Sequence, residues 1–302
     1  MSLYSELFAL CEKIGCEYSE TALLSDYTSF KIGGKADAMV FPDTLEKIKT
    51  VVSFAGEQKI PVFVLGKGSN LLVSDNGIRN KVVLHLTTDF SDMKIIDETS
   101  IEVQSGASLA SLCKFALANS LTGLEFAYGI PGSVGGAAYM NAGAYGGEMK
   151  DVVSRINHID KKGNVGSFSG DELDFSYRHS AYSDSDLVIT SVVFNLQKGD
   201  KNEIESKMTE LMGRRVNKQP LEYPSAGSVF KRPEGYFAGA LIEQSDLKGQ
   251  RIGGAMVSEK HAGFIINYDN ATTTDVVDLI KYCQKTVFEK FGVELHTEIK
   301  FV

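Results

Sequence analysis

A run of glycines between residues 121 and 147, LTGLEFAYGIPGSVGGAAYMNAGAYGG, holds eight of the chain's 29 glycines. Glycine at this density costs backbone entropy unless the chain needs positive φ angles or a close backbone approach, so the run is not typical of a helix or strand. A surface loop would carry Asp and Lys between its glycines, whereas Phe126, Tyr128 and Val134 stand there. The run therefore predicts a buried loop whose backbone hydrogen-bonds an extended polar ligand. A segment that only packs tightly is the alternative.

Length and charge limit the class of protein. The chain has 302 residues and a net charge of −8, from 31 Lys and Arg against 39 Asp and Glu, so we expect no nucleic-acid partner. No apolar run approaches the roughly 18 residues that span a bilayer. The apolar residues at the N-terminus have the spacing of an amphipathic helix and lack the basic head of a signal peptide. We therefore expect a soluble cytoplasmic protein with no membrane partner.

The cysteines are scattered and form no CxxC motif. Their spacing predicts small core residues, with no metal site and no disulfide; they are Cys11, Cys16, Cys113 and Cys283.

Hydrophobic periodicity predicts strands and helices in alternation over the first 211 residues. Strands are expected at 38–41, 62–65, 101–103 and 187–196, with a hairpin over 160–170. One helix should follow Asp43, which would cap it, with Glu46 three residues on completing a capping box. Another should begin at Ser108.

The loop GKGSN, residues 66–70, follows the predicted strand 62–65. A strand that leads into a Gly-rich turn commonly aims consecutive backbone N–H groups at an anion. The loop fits neither a Rossmann fingerprint, which would need glycine in place of Leu71, nor a P-loop. A simple turn with Gly68 at positive φ and an anion-binding loop are equal alternatives.

The charge balance reverses near residue 212, where we place a domain boundary. Residues 214–260 contain eight Lys and Arg against five Asp and Glu, a local charge of +3 in a chain of −8. Cations that face a helix dipole account for Arg214 or Arg215, but not for Lys231 and Arg232. The segment is therefore expected to attract an anion.

The last 30 residues predict a long helix and a final strand. The helix, Thr273–Phe291, should direct one apolar face inward, formed by Val276, Val277, Ile280, Cys283, Val287 and Phe288. Residues 293–301 alternate as a strand with Glu298 on its charged face. By spacing alone, a charged edge strand is a better interpretation than a catalytic acid at Glu298.

Eight segments, spread in order over nearly the whole chain, resemble the family of UDP-N-acetylenolpyruvoylglucosamine reductases, also called UDP-N-acetylmuramate dehydrogenases, of bacterial peptidoglycan synthesis. They are TSFKIGGKAD, VLGKGSNLLVSDNG, EFAYGIPGSVGGAAYMNAGAYGGE, FSYRHSAY, KQPLEYPSAGSVFKRP, AGALIEQSDLKG, SEKHAGFIIN and LHTEIKF. Each segment alone is modest support, but their order and spacing make the resemblance specific.

The resemblance implies an α+β fold, with a two-part FAD-binding domain of the vanillyl-alcohol-oxidase type and a C-terminal α+β substrate domain. Residues 1–87, joined by the terminal strand 297–302, would form the first FAD-binding subdomain, 88–211 the second, and 212–296 the substrate domain. The implied reaction reduces UDP-N-acetylglucosamine enolpyruvate to UDP-N-acetylmuramate. NADPH reduces non-covalently bound FAD, a hydride reaches C3 and a proton reaches C2. A monomer is expected.

The same resemblance assigns catalytic roles that spacing alone does not. Arg178 in FSYRHSAY would polarise the substrate carboxylate, Ser228 in SAGSVF would donate the proton, and Glu298 in LHTEIKF would be its acidic companion.

Binding roles are implied as well. The diphosphate of the substrate would contact Arg215, Lys218 and Arg232, and Tyr145 would cover the substrate as in the type II branch. Arg232, which replaces an Asn found in other members, and the short segment between Arg178 and Ser228 both resemble that branch. The residues expected along FAD are Gly66, Lys67, Gly68, Ser69, Asn70, Gly129, Pro131, Gly132, Ser133, Gly135, Asn141 and Gly143.

Two other functions remain alternatives at the level of sequence. A flavin oxidase with the same FAD fold would use oxygen, and a non-catalytic sugar-nucleotide binding protein would need no catalytic residues.

Overall fold

The computed structural model describes residues 3–302. Its α-helices are α1 Leu3–Ile14, α2 Leu45–Glu57, α3 Leu109–Ala118, α4 Val134–Tyr139, α5 Lys201–Lys218, α6 Ala238–Gln244 and α7 Thr273–Phe291. Its strands are β1 Glu17–Ser19, β2 Ala36–Phe41, β3 Val62–Leu65, β4 Leu71–Leu72, β5 Ile78–His85, β6 Met93–Ile95, β7 Ser100–Gln104, β8 Leu121–Thr122, β9 Gly143–Ala144, β10 Gly147–Glu148, β11 Val153–Ile159, β12 Val165–Ser169, β13 Val188–Asn195, β14 Gln197–Lys198, β15 Ser225–Ser228, β16 Arg251–Ile252, β17 Ala255–Val257, β18 Phe264–Asn267 and β19 Lys300–Phe301.

The chain divides into two compact units. The first unit contains residues 1–20, 37–67 and 80–214, and the second contains 21–36, 68–79 and 215–302. These units are compact groups of residues, and they do not test the three domains predicted from the sequence, which stay a prediction.

The first unit contains two larger sheets. One has the strand order β1-β2-β5-β3, with β3 parallel to β5. The apolar faces of α1 and α2 pack in its core, where Leu7, Ile48 and Val52 are buried. The other sheet is antiparallel, in the order β12-β11-β13-β7-β6. Buried residues of α3 and α4 share one hydrophobic core with this sheet. The glycine run, which contains α4, therefore packs against the sheet.

The second unit is built on an antiparallel sheet of order β15-β18-β17-β16. Helices α6 and α7 belong to its core, together with Phe30, Leu72 and Ile299. Strand β19 pairs in parallel with β4. The core of the second unit thus joins three separated stretches of sequence, residues 21–36, 68–79 and 215–302. Each stretch contributes apolar side chains to it.

Local signals set most of the helix ends. Ser108, where the sequence predicted that a helix begins, caps α3 by accepting a hydrogen bond from the Ser111 N–H. A capping box at Thr272 opens α7, and Gly292 ends it at a φ of 68°. The predicted cap of α2 was wrong by one residue. Thr44 is the cap, because its extended backbone lets its hydroxyl accept from Lys47 N–H, and the Asp43 carboxylate pairs with the Lys47 ammonium.

Strand predictions up to residue 196 are confirmed by β2, β3, β7 and β13, and the hairpin by β11 and β12. The last predicted strand was too long, since β19 covers only its final part and Thr297 adds one isolated bridge. Phe288 was wrongly placed in the core, because it lies on the exposed side of α7 and is 52% exposed. Leu279 is buried in that helix instead.

Over residues 3–302, no helix is both long enough and apolar enough to cross a membrane.

Candidate active site

The glycine run is only partly buried, and it is more regular than the buried loop that the sequence predicted. It contains α4, which Ser133 caps by accepting a hydrogen bond from Gly136 N–H. Gly135 sits in this helix because a Cβ there would lie 2.7 Å from the Cβ of Ser105. The absence of that side chain lets the helix pack directly on the segment that follows β7.

Backbone hydrogen bonds fix the first half of the run to residues 105–109. Val134 N–H donates to the Ala107 carbonyl, Gly135 N–H to the Ser105 carbonyl, and Leu109 N–H to the Gly132 carbonyl. Protein backbone therefore satisfies much of the hydrogen-bonding capacity that the sequence suggested a ligand would take.

The first residue of GKGSN meets the glycine run within the first unit. The space that a side chain at Gly66 would fill is occupied by Ser133, whose Oγ would lie 2.2 Å from a Cβ. Gly66 opens GKGSN and Ser133 stands in GIPGSVGG, so the fold brings the two loops into direct contact. Such a close approach is possible only because residue 66 has no Cβ.

The residues at this junction fit an extended polar cofactor. Ser105 is 3% exposed, and its Oγ has no hydrogen-bond partner among the described residues. A buried hydroxyl without a partner is costly, so a polar ligand group beside Gly135 would stabilise it. Gly129 and Gly132 are half-buried, and Lys67 and Pro131 are exposed, which leaves part of both loops accessible to a ligand.

The second half of the run forms a tight hairpin. Strands β9 and β10 pair through Gly143 with Glu148 and Ala144 with Gly147. Tyr145 and Gly146 form the two-residue turn, with φ of 55° and 91°. Two successive positive φ angles match the twist of paired strands, which explains the glycine at the second position. Tyr145 stands at the tip and is 44% exposed.

Arg178 occupies a second tight turn in the same unit. Ser176 and His179 exchange two backbone hydrogen bonds of 3.2 Å across it, and Arg178 has a φ of 57°. Its guanidinium lies 5.0 Å from the centre of the Tyr177 ring, and Nη2 reaches the Gly143 carbonyl at 3.5 Å. A non-glycine residue with positive φ is strained, and such strain concentrates at functional sites.

In the second unit, Ser228 is presented by a β-bulge. Ser225 pairs with Ile266 and Ser228 with Phe264, so three steps on β15 oppose two on β18. Gly227 accommodates the extra residue with a φ of 79°. Bulges of this kind re-aim side chains next to functional sites, and the half-buried Ser228 is the residue re-aimed here.

Ser228 and Glu298 lie on adjacent segments of the second unit. Glu298 N–H donates to the Val229 carbonyl at 2.7 Å, and Phe230 bridges to Thr297. Glu298 is half-buried, unlike its exposed neighbours in the sequence, Glu294 and His296. The fold thus brings together the backbone segments that carry Ser228 and Glu298, two of the three predicted catalytic residues.

The end of GKGSN joins the same place. The Asn70 side-chain amide donates to the Glu298 carbonyl at 3.3 Å, and Lys300 N–H donates to the Asn70 carbonyl. Ser29 links the loop to β15, since its N–H donates to the Gly68 carbonyl at 3.2 Å and its Oγ to the Ser225 carbonyl at 2.7 Å. Ser29 lies in the motif TSFKIGGKAD, and nothing in the sequence predicted this role for it.

His261 is a further residue that sequence reasoning missed. It stands in the motif SEKHAGFIIN, and its Nδ1 accepts from Gly263 N–H at 3.1 Å. A Cβ at Gly263 would lie 3.0 Å from the imidazole and 3.6 Å from Ser228 Oγ, so the imidazole and the serine hydroxyl both flank this glycine. Burial lowers the pKa of His261, which favours a neutral ring.

The predicted diphosphate contacts are distributed over two elements. Arg215 and Lys218 lie one turn apart near the end of α5, Arg215 buried and Lys218 exposed. Arg232 is exposed, and its guanidinium lies 4.0 Å from the centre of the Phe237 ring. This distance is that of a cation–π contact.

Known proteins resemble the chain over almost its whole length. Residues 36–169 match the family model described as an FAD binding domain. Residues 219–302 match the model for the C-terminal domain of UDP-N-acetylenolpyruvoylglucosamine reductase. A reductase of that name from Lactiplantibacillus plantarum is 50% identical over 288 residues, 95% of this chain and 94% of the relative. The chain belongs to the UDP-N-acetylenolpyruvoylglucosamine reductase family.

Two further members of the family extend the comparison. The Listeria monocytogenes serotype 4a enzyme is 51% identical over 92% of this chain and 93% of its own length. The crystal structure of the Thermus caldophilus reductase superposes with a TM-score of 0.80 at 35% identity, over 95% of this chain and 99% of that one. The resemblance, the α+β fold class, and the reductase and flavin assignments drawn from the sequence are confirmed at the level of the family. The individual site residues stay predictions.

Proposed function

We propose that this chain reduces UDP-N-acetylglucosamine enolpyruvate to UDP-N-acetylmuramate, with FAD as cofactor and NADPH as hydride donor. The observation that carries the proposal is the pairing of the Ser228 and Glu298 segments through the 2.7 Å bond from Glu298 N–H to the Val229 carbonyl. A β-bulge re-aims the half-buried Ser228, and the half-buried Glu298 lies on the neighbouring backbone segment.

Ser228 is assigned as the proton donor to C2 of the enolpyruvyl group. When bound, FAD would supply the hydride chemistry between NADPH and C3. Serine is a weak acid, so it serves only where the accepting carbon is strongly basic. Glu298 is assigned as a hydrogen-bonding companion, and the Asn70 bond to its carbonyl keeps its backbone in place.

Arg178 is assigned to the substrate carboxylate, where negative charge grows during hydride addition. A cation fixed in position before the reaction stabilises such charge without having to reorganise. The turn from Ser176 to His179 supports this role because it holds Arg178 at a defined, strained φ. Tyr145, exposed at its hairpin tip, is assigned as a cover over the substrate.

The remaining assignments follow the predicted contacts. Arg215, Lys218 and Arg232 would neutralise the diphosphate. FAD would lie along the cofactor residues, which are Gly66, Lys67, Gly68, Ser69, Asn70, Gly129, Pro131, Gly132, Ser133, Gly135 and Gly143, with Asn141 considered below. We retain the proposed domain boundaries at residues 87, 211 and 296, a cytoplasmic location and a monomeric state. Gel filtration with light scattering tests the last of these.

Anaerobic flavin spectroscopy tests the proposed reaction. NADPH should bleach the flavin absorbance, and the enolpyruvyl sugar nucleotide should restore it without oxygen. Restoration only by oxygen would favour the oxidase alternative, and a colourless protein that binds the nucleotide would favour the non-catalytic one. Release of all yellow colour on denaturation is expected for non-covalent FAD.

Ser228→Ala tests the proton donor. NADPH should still bleach the flavin at the wild-type rate, while reoxidation by the sugar nucleotide should nearly disappear, because the variant lacks the proton for C2. Ser225→Ala is the matched control, since the described hydrogen bonds of Ser225 use only its backbone. Normal turnover of Ser228→Ala would refute the assignment.

A further inference from the structure

Asn141 is wholly buried within the glycine run, at 0% exposure and a φ of 44°. Its Nδ2 donates to Glu148 Oε2 at 2.7 Å and to the Ser176 carbonyl at 3.0 Å. Its Oδ1 accepts from Lys150 N–H at 2.9 Å. An amide side chain has two N–H donors, so both donors of Asn141 are already committed within the protein.

These bonds join the two turns that carry predicted substrate residues. Glu148 ends the hairpin with Tyr145 at its tip, and Ser176 opens the turn that contains Arg178. The Asn141 amide is therefore a shared anchor for both turns. The long contact from Arg178 Nη2 to the Gly143 carbonyl, at 3.5 Å, is weak by comparison.

The Arg178 turn needs such an anchor because its backbone is strained. A left-handed conformation at a residue with a Cβ is unfavourable and persists only where surrounding contacts fix it. The Ser176 carbonyl, two residues before Arg178, is held from outside the turn by the amide of Asn141. Loss of this bond would let the turn relax and shift the guanidinium.

We propose that Asn141 is a positioning residue, which holds the Arg178 turn and the Tyr145 hairpin for the sugar nucleotide, and is not a contact to the cofactor. The proposal rests on the function proposed above. It changes the role expected from the sequence, which placed Asn141 along FAD.

The two half-reactions distinguish these roles. In Asn141→Gly, which keeps the positive φ but removes the amide, flavin content and bleaching by NADPH should stay within about twofold of wild type. Reoxidation by the enolpyruvyl sugar nucleotide should slow about 100-fold, the effect of a misplacement of about 1 Å. Asn119→Gly, an exposed position at the end of α3, is the matched control and should change neither half-reaction.

Glu148 variants provide a second test if Asn141→Gly does not fold. Glu148→Ala removes an acceptor of the Asn141 amide and should slow reoxidation selectively, whereas Glu148→Gln keeps an acceptor oxygen and should recover most of the rate. Loss of FAD, or equal slowing of both half-reactions, would overturn the proposal, as would unchanged reoxidation. If wild-type protein itself is not reoxidised by the sugar nucleotide, the proposed function fails instead.

Discussion

Gly66→Ala tests the contact between the two loops that are proposed to bind FAD. The new Cβ would lie 2.2 Å from Ser133 Oγ and 3.3 Å from its Cβ. Since ordinary carbon–oxygen contacts begin above 3 Å, the serine side chain must rotate or the loop must move. Rotation removes the cap of α4, which is the 3.3 Å bond from Gly136 N–H.

The expected cost has two parts. Loss of a serine cap is worth about 1 kcal/mol, and the insertion of a methyl group into a packed contact costs about 1–3 kcal/mol. We therefore expect a loss of about 2–4 kcal/mol in the free energy of unfolding. If the loop relaxes without FAD and must return to its native position on binding, the same energy is lost from FAD binding. The Kd for FAD should then rise about 30- to 1,000-fold, because about 1.4 kcal/mol corresponds to a tenfold change in Kd.

Urea unfolding and FAD titration by flavin fluorescence measure the two effects. In the Ser133→Ala background the shortest contact would be the 3.3 Å one between Cβ atoms, so Gly66→Ala should cost less than about 1 kcal/mol there. Gly213→Ala, at an exposed position of α5 with no atom near its Cβ, should instead stabilise by up to about 1 kcal/mol. Wild-type FAD affinity and stability in Gly66→Ala would refute the reasoning.

Three further outcomes follow from the structure. Tyr182→Phe should lower the free energy of unfolding by about 1–3 kcal/mol in urea titrations, because the buried hydroxyl contacts His158 Nδ1 at 2.8 Å and its loss leaves a polar partner unsatisfied. Burial lowers the pKa of His85, so as the pH falls the unfolded chain binds a proton near pH 6.5 while the native imidazole is still neutral. The free energy of unfolding should therefore decrease as the pH drops below about 6.5, and it should decrease less steeply in His85→Gln. Urea titrations between pH 7.5 and 5.5 measure both. Phe237→Ala should raise KM for the sugar nucleotide about two- to fivefold with little change in kcat, since Arg232 loses an exposed cation–π contact; an unchanged KM would argue against Arg232 as a diphosphate contact.

Local patterns in the sequence were sufficient for elements whose stability depends mainly on their own residues. The apolar periods of residues 273–291 and of the segment that begins at Ser108 predicted α7 and α3, because amphipathic spacing acts within a few residues. The ordered motifs were sufficient for the family.

The candidate site was only partly accessible in this way. Motif resemblance selected Arg178, Ser228 and Glu298, but nothing in their spacing indicated the bulge at Gly227 or the turn that strains Arg178. Phe288 illustrates the same limit, since a residue at the edge of an apolar face is buried or exposed according to what packs against it.

The sequence by itself determined the family, the fold class and the density of glycine between residues 121 and 147. Tertiary structure alone decided what that glycine is for: one part forms a helix packed on Ser105, and another turns a hairpin at Tyr145. It also decided that Gly66 touches Ser133 and that Asn141 supports Ser176. These contacts join residues distant in the chain, and their energies depend on distances of a few ångströms that no local pattern encodes.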